Sequence, residues 1–246
     1  MIGIQIYTVR ALTQTVTEAE KAMRELMDMG YECIQLAGGI DNIAKDAEAA
    51  KGCGIKVIGI LTNPETCEEN LDRVIEIAKE LGACDVGISG HAKTLAETEE
   101  LAKKANIFAK AVVKAGLTFS YHNHSHEFVR LENGKTVMEN LLSLFDKETV
   151  SLMPDTYWLQ HGGIDVRDFI EKYGERVKIL HLKDMKRTEE GVTFAEVGEG
   201  NLNMGGIIDV AKSKGINSFI VEQDSCDGSP LVSAKISIKN LKGLLK

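Results

Sequence analysis

The residues of this sequence best suited to chemistry lie together in one short segment. Residues 121–128 read Tyr-His-Asn-His-Ser-His-Glu-Phe, which contains three of the chain's 6 histidines and a carboxylate. The segment follows an apolar run, residues 116–119, that is typical of a buried strand. Because alternate side chains of a strand share a face, His122 and His124 are expected to point the same way. Imidazole and carboxylate groups gathered at a strand end are what a transition-metal site or acid–base catalysis requires.

At or near their ends, three later apolar runs also carry a residue that could bind a metal. These residues are Asp155, His181 and Glu222. Each alone has an ordinary explanation, such as an aspartate that caps a loop or a neutral buried histidine. Together, uncompensated carboxylates would repel one another and would be costly to bury. A divalent cation removes that cost, and mixed imidazole and carboxylate ligands suit Mn²⁺, Zn²⁺, Co²⁺ or Fe²⁺ better than Ca²⁺.

Strand-like and helix-like runs alternate along the whole chain, and these elements must position the candidate ligands. The predicted strands are residues 2–7, 33–36, 56–61, 85–88, 117–123, 150–153, 177–182 and 218–222. The predicted helices are residues 17–29, 41–51, 64–81, 94–115, 136–145, 165–173, 205–214 and 230–245. Eight strand–helix repeats of roughly thirty residues predict an α/β fold, a single (β/α)8 TIM barrel over residues 1–246. A doubly wound open sheet usually has fewer strands and a glycine-rich loop after the first one, and no such loop follows Ile6.

Barrel enzymes carry their chemistry at the carboxyl ends of the strands. The fifth predicted strand ends at His122 and His124, and the sixth is followed by Asp155. The seventh contains His181, and the eighth ends at Glu222. Four consecutive strands therefore deliver ligand-type residues to one rim.

The composition indicates which other classes of protein are excluded. A formal net charge of −8 and an isoelectric point near 5.4 argue against nucleic acid as the main partner. The 5 cysteines form no CxxC pair and are typical of reduced thiols, so we expect a cytoplasmic protein. No apolar stretch approaches the length of a membrane span, and the first residues are too soon interrupted for a signal peptide.

The ordered motifs resemble the xylose isomerase-like TIM barrel superfamily, in particular proteins labelled sugar phosphate isomerase/epimerase. The motifs that carry the resemblance are residues 3–10, 121–124, 127–128, 154–158, 181–184, 197–200 and 221–224. The superfamily includes ketose 3-epimerases, hydroxypyruvate isomerase, inosose dehydratase, 3-dehydroshikimate dehydratase and family-2 AP endonucleases. The resemblance therefore implies a metal-dependent enzyme that acts on a carbohydrate.

By this resemblance, Asp155, His181 and Glu222 are three of the four ligands of a divalent metal. We expect Mn²⁺, with Zn²⁺, Co²⁺, Mg²⁺ or Fe²⁺ as alternatives. The chain departs from the family at the fourth position, where the epimerases have Glu at the end of the fifth strand and this sequence has His122. Either His122 ligates the metal directly or Glu127 reaches back from the loop, and we prefer Glu127.

The expected reaction is proton abstraction next to a carbonyl of a sugar, keto-sugar or polyol derivative. Glu222 or His122 would take the proton, and His124 or Lys183 would donate one. The candidate substrate contacts are Gln5, Arg10 and Trp158. No role is assigned to His91, His126 or His161.

Several functions stay open at this stage. A sugar isomerase or epimerase leads. A lyase or dehydratase acting on a 3-keto-glycoside or inosose is the alternative. In the epimerases that the chain resembles, two metal-binding glutamates face each other across the sugar and exchange a proton, and one of them is missing here from its usual place. A family-2 AP endonuclease and a non-catalytic sugar-binding subunit are less favoured. The expected partner is a small carbohydrate, without nucleic acid or membrane, and a homo-oligomer remains open because barrels of this kind often pair.

Overall fold

A central set of parallel strands organises the molecule, whose computed structural model describes residues 1–246. The strands are β1 (Ile2–Gln5), β2 (Cys33–Ala37), β3 (Lys56–Thr62), β4 (Asp85–Ile88), β5 (Thr118–His122), β6 (Val150–Met153), β7 (Leu180–Leu182), β8 (Asp184–Arg187), β9 (Val192–Ala195) and β10 (Phe219–Val221). All but β8 and β9 belong to one parallel sheet, in the order β6-β5-β4-β3-β2-β1-β10-β7. This order is that of a barrel whose consecutive parallel strands are neighbours.

The barrel closes between β6 and β7, where the pairing is sparse. Single parallel bridges join Leu152 to Val177 and Asp155 to His181. The backbone N–H of His181 donates to the carbonyl oxygen of Pro154 at 3.0 Å. This closure confirms the predicted (β/α)8 barrel.

The interior of the barrel is packed by a small apolar cluster. Its members are Cys33, Ile58, Leu61, Met153, Ile179 and Ile220. Gly3 lies among them, and a Cβ at this position would lie 2.6 Å from both Cys33 Sγ and Ile220 Cδ1. The glycine is therefore required by close packing across the interior. A larger cluster of 60 buried residues fills the space between the strands and the helices.

The helices follow the strands around the barrel. They are α1 (Val16–Met29), α2 (Ile40–Cys53), α3 (Pro64–Glu80), α4 (Leu95–Lys114), α5 (Val137–Leu144), α6 (Thr156–His161), α7 (Val166–Tyr173), α8 (Met204–Ser213) and α9 (Pro230–Leu244). Side-chain caps fix several starts; Thr15 and Thr136 each form a capping box with the glutamate three residues later. No helix combines the length and the apolar character needed to cross a membrane.

Three elements differ from the sequence-based prediction. The first strand ends at Gln5, because Ile6–Leu12 turns into a 3-10 helix. Helix α6 was not predicted; it begins because the Asp155 side chain accepts from the backbone N–H of Trp158 at 3.0 Å. The antiparallel hairpin of β8 and β9 was also missed, since β8 reads Asp-Met-Lys-Arg and forms no apolar run.

Candidate metal centre

Four buried side chains converge at the carboxyl end of the barrel. They are His122, Asp155, His181 and Glu222, and each offers a ligand atom that lies within 4.8 Å of the others. His122 is the last residue of β5, Asp155 follows β6, His181 is in β7 and Glu222 follows β10. The parallel register brings these strand ends to one rim, as the sequence analysis expected. The group is called the rim cluster below.

Hydrogen bonds fix the orientation of His181. Its Nδ1 lies 2.7 Å from Glu222 Oε2, and its Nε2 lies 2.7 Å from Gln35 Oε1. The same Gln35 oxygen accepts from Gln5 Nε2 at 2.7 Å. Because a carbonyl oxygen only accepts, Nε2 of His181 carries a hydrogen, and Nδ1 is directed at the Glu222 carboxylate in the rim cluster.

Gln35 was missed by the sequence reasoning. The available signal was a glutamine in an otherwise apolar strand, where it is fully buried. Gln5, expected to contact substrate, uses its amide nitrogen to hold Gln35, while its Oε1 is buried without a hydrogen-bond partner. Both glutamines therefore support His181.

The rim cluster fits a divalent cation. His122 Nδ1 and Asp155 Oδ2 are buried without a hydrogen-bond partner. Unsatisfied buried polar atoms are costly unless something binds them. Two imidazoles and two carboxylates form the mixed N/O donor set that suits a transition metal such as Mn²⁺, Zn²⁺, Co²⁺ or Fe²⁺.

The fully buried side chain of Lys183 adjoins this cluster. Its Nζ donates to Asp224 Oδ1 at 2.9 Å. It also lies 3.1 Å from Asp155 Oδ2 and 3.4 Å from Glu222 Oε2, without the alignment of a hydrogen bond. Burial opposes its positive charge, but the three carboxylates outweigh burial and raise the pKa of Lys183. The residue is therefore an ammonium ion in the wall of the site.

The ionisation of the rim cluster matches its composition. Burial, assisted by neighbouring His181, lowers the pKa of His122 well below its usual range and keeps the imidazole neutral. Burial raises the pKa of Asp155, with Lys183 opposing. Burial acts to raise the pKa of Glu222, but the Lys183 charge and the hydrogen bond with His181 outweigh burial and lower the pKa of that carboxyl. A neutral His122 imidazole and an ionised Glu222 carboxylate are the protonation states that metal ligation needs.

A second group of His and Glu side chains lies next to the first, and is called the loop cluster. It consists of His124, His126 and Glu127. The Glu127 carboxylate accepts from the Tyr121 hydroxyl at 2.9 Å and from the His124 backbone N–H at 2.8 Å. His126 Nε2 lies 3.3 Å from the same carboxylate and 2.9 Å from the carbonyl oxygen of Gly90.

The position of Glu127 differs from the preferred expectation that it completes the metal ligand set. The 3-10 turn His126–Phe128 directs its carboxylate back toward Tyr121. The fourth corner of the rim cluster is His122 instead. The alternative that the sequence analysis kept open is therefore the one that the geometry favours.

A cavity of about 250 Å³ opens beside the rim cluster. Its walls include Gln5, His122, His124, Glu222 and Asp224. A larger cavity of about 470 Å³ borders the loop cluster but reaches none of the four rim-cluster residues. The smaller cavity is therefore where a molecule could meet both Glu222 and His124.

The two other predicted substrate contacts, Arg10 and Trp158, lie outside the smaller cavity. The exposed Arg10 guanidinium donates to the backbone oxygens of Tyr7 and Asp224 and lies 3.9 Å over the Tyr7 ring. Trp158 packs beside His124 and Phe194, with ring centroids 5.4 Å and 5.8 Å away. Neither side chain lines the smaller cavity.

The remaining histidines contact other aromatic rings. His91 lies 4.2 Å from His126, and His161 stacks on Tyr157 at 5.5 Å, both measured between ring centroids. His91 also borders the larger cavity. Neither residue joins the rim cluster.

Fold and rim cluster together define a (β/α)8 barrel with a His/Asp/Glu group at its strand ends. The chain belongs to the xylose isomerase-like TIM barrel family, whose model matches residues 23–242. The resemblance drawn from the ordered strand-end motifs is thereby confirmed.

Individual relatives are more distant. An inosose dehydratase of Mesomycoplasma hyopneumoniae is 27% identical over 168 residues, which cover 61% of this chain and 55% of that protein. The chain thus spans about half the length of the curated relatives it matches. A solved sugar phosphate isomerase/epimerase from Parabacteroides distasonis has a TM-score of 0.82 at 20% identity, covering 100% of this chain and 95% of that one. A solved IolI protein with a bound zinc atom has a TM-score of 0.76 at 12% identity, covering 99% and 97%. These two structures establish the fold.

Proposed function

We propose that the protein is a divalent-metal-dependent enzyme that removes a proton from the carbon next to a carbonyl of a sugar or polyol-derived ketone. The observation that carries this proposal is the rim cluster itself. It consists of four buried residues with N/O ligand atoms, His122, Asp155, His181 and Glu222. Two of them, His122 and Glu222, line a cavity of about 250 Å³, and a buried ammonium lies beside the group. Mn²⁺ is the proposed metal, with Zn²⁺, Co²⁺, Mg²⁺ and Fe²⁺ as alternatives.

A divalent cation held by these residues would act as a Lewis acid that polarises the carbonyl of a substrate. Glu222 is the proposed base, because its carboxylate is ionised and faces the cavity. Lys183, whose Nζ lies 3.4 Å from Glu222 Oε2, supplies a fixed positive charge in the wall of the site, which would stabilise negative charge that develops on the carbonyl oxygen. His124 lines the same cavity and has a ring nitrogen, Nδ1, free of hydrogen bonds, so it is the proposed proton donor.

The asymmetry of the rim cluster favours elimination of water. Only one glutamate, Glu222, belongs to the group, and the fifth strand contributes His122 instead. A single base that removes the proton, with a histidine that protonates the leaving oxygen, is the arrangement of a dehydratase. The likeness to inosose dehydratases supports the same class, so we propose a lyase acting on an inosose or a 3-keto-glycoside.

Isomerisation or epimerisation is the second candidate, because it shares the first proton transfer. It is favoured by one observation: His122 and Glu222 come from different strands and both line the cavity. A pair of bases in such a position can return the proton to carbon. If the protein abstracts no proton from any of these substrates, the remaining candidate functions are a nuclease and a non-catalytic sugar-binding subunit.

The deciding experiment incubates Mn²⁺-loaded protein in D₂O with ketoses, inososes and 3-keto-glycosides. We expect one substrate to lose water, and unreacted substrate recovered from the mixture to carry deuterium at the carbon whose C–H bond the base breaks. Deuterium exchange at one carbon without loss of mass as water would instead indicate the isomerase or epimerase. The absence of both water loss and deuterium exchange with every substrate would contradict proton abstraction. Cleavage of abasic-site DNA by the same preparation would replace it with a nuclease.

A further inference from the structure

Lys183 competes for the oxygens that a metal ion would use. Its Nζ lies 3.1 Å from Asp155 Oδ2 and 3.4 Å from Glu222 Oε2. A cation bound to those oxygens would lie a few ångströms from the ammonium, and like charges at such distances repel strongly away from water. Metal binding therefore depends on where the ammonium is held.

The contacts of Lys183 are of two kinds. Its only hydrogen bond from Nζ goes to Asp224 Oδ1 at 2.9 Å. The closer of its two ion contacts, with Asp155, leaves Oδ2 of that residue without a hydrogen-bond partner. Asp224 thus makes the one hydrogen bond to the ammonium, whereas the ligand oxygen of Asp155 has only an ion contact with it.

The segment that carries Asp224 is fixed by contacts from the first strand's loop. Arg10 Nη2 donates to the backbone oxygen of Asp224 at 2.8 Å, and the backbone N–H of Gln223 donates to Thr8 Oγ1 at 3.2 Å. The Asp224 side chain is 23% exposed, and it is not one of the four rim-cluster residues. It therefore lies in a defined position without ligating the same centre.

We propose that Asp224 is a positioning residue that draws the Lys183 ammonium away from the ligand oxygens of Asp155 and Glu222, so that cation and ammonium can share the site. Arg10 then serves to fix the Asp224 backbone. This inference rests on the proposed function in one respect, since it takes the rim cluster to bind a divalent cation. It adds that two neighbouring side chains, Lys183 and Asp224, act on metal affinity with opposite signs.

The test is the Mn²⁺ dissociation constant, measured by titration calorimetry, of the full chain and three variants. Asp224→Asn should weaken binding by about tenfold, the lower end of the effect of losing a supporting partner. Lys183→Met should tighten binding, because the competing charge is gone. In the double variant the Asp224→Asn change should have no further effect, because Asp224 acts through Lys183.

The double variant separates positioning from simple attraction between charges. If Asp224 merely attracts the cation, Asp224→Asn weakens binding equally with and without Lys183, and the inference is overturned. Weaker binding by Lys183→Met would overturn it as well. Asp227→Asn, which removes an exposed carboxylate from the same loop, is the matched control and should leave the constant unchanged.

Two further measurements keep the test decisive. Lys183→Gln, which keeps a hydrogen-bond donor for Asp224, replaces Lys183→Met if thermal melts show that the methionine variant does not fold. Wild-type protein that binds neither Mn²⁺ nor Zn²⁺ would overturn the proposed function itself. Binding by the wild type with the wrong pattern among the variants would overturn only the role of Asp224.

Discussion

The rim cluster and the loop cluster contain the same kinds of side chain and lie side by side, yet they differ in how they are built. The rim cluster gathers His122, Asp155, His181 and Glu222 from four separate strand ends, and two of its ring and carboxylate atoms lack hydrogen-bond partners. The loop cluster comes from one short turn, and its carboxylate is held by Tyr121 and by the backbone of His124. Each cluster contains a buried ring nitrogen without a hydrogen-bond partner, but only the rim cluster also leaves a carboxylate oxygen, Asp155 Oδ2, in that state. The comparison teaches that local density of histidine is a weaker indicator of a metal site than a buried carboxylate oxygen that no hydrogen bond satisfies.

The largest difference between the two clusters should appear in catalysis. Glu222→Gln removes the proposed base, so turnover of the substrate found in D₂O should fall by about 10²–10⁴-fold. Glu148→Gln changes an exposed glutamate before β6, at the opposite end of the barrel, and is the control that should keep full activity. Steady-state kinetics at saturating Mn²⁺ measure both. Undiminished turnover by Glu222→Gln would assign the base to another residue.

Another buried carboxylate, Asp85, tests what burial does to a carboxyl group that belongs to neither cluster. It lies at the start of β4, where Ser120 and Thr118 hydroxyls donate to Oδ1 and Oδ2 has no hydrogen-bond partner. Burial outweighs these two bonds and raises the pKa of Asp85 to about 6. Because the folded-state pKa exceeds the unfolded one, its contribution to stability is complete below about pH 4 and is lost as the pH rises through 6.

Replacing Asp85 by asparagine should remove that dependence on pH. Between pH 4 and pH 7, the unfolding free energy of the wild type should fall by about 2–3 kcal/mol relative to the Asp85→Asn variant. Urea denaturation at several pH values, with the two proteins compared at each, isolates this residue from the other titrating groups. Parallel curves for the two proteins would mean that Asp85 titrates normally.

The smallest expected effect concerns Mn²⁺ affinity and tests whether His122 or Glu127 is the fourth metal ligand. His122→Gln should weaken Mn²⁺ binding by at least about tenfold, because it removes a ligand of the rim cluster. Glu127→Gln should leave the dissociation constant within about twofold, because its carboxylate is engaged within the loop cluster. Calorimetric titration of both variants gives the comparison. A reversed order would restore Glu127 as the ligand that the sequence analysis preferred.

The eight strands and the placement of ligand-type residues at their ends followed from the sequence because apolar runs and helix periodicity repeat through the chain. Parallel topology then brings distant strand ends together without further information. The choice between His122 and Glu127 could not be made in this way. It depends on the 3-10 turn His126–Phe128, which turns one carboxylate toward Tyr121.

Supporting residues were harder to predict because their partners are distant in sequence. Gln35 holds His181 from a strand 146 residues away, and Asp224 binds Lys183 across 41 residues. Each is an ordinary polar residue in its own segment. The role of each arises only when the barrel closes, so local patterns contain little sign of it.

The sparse joint between β6 and β7 has a mechanical consequence for the whole barrel. Asp155 and His181 face each other as bridge partners across that joint, and both belong to the rim cluster. A cation bound by both would tie the two strands together where the backbone ladder is thinnest. The proposed metal would then also stabilise the closure of the barrel. Its removal by a chelator would loosen the contact between β6 and β7.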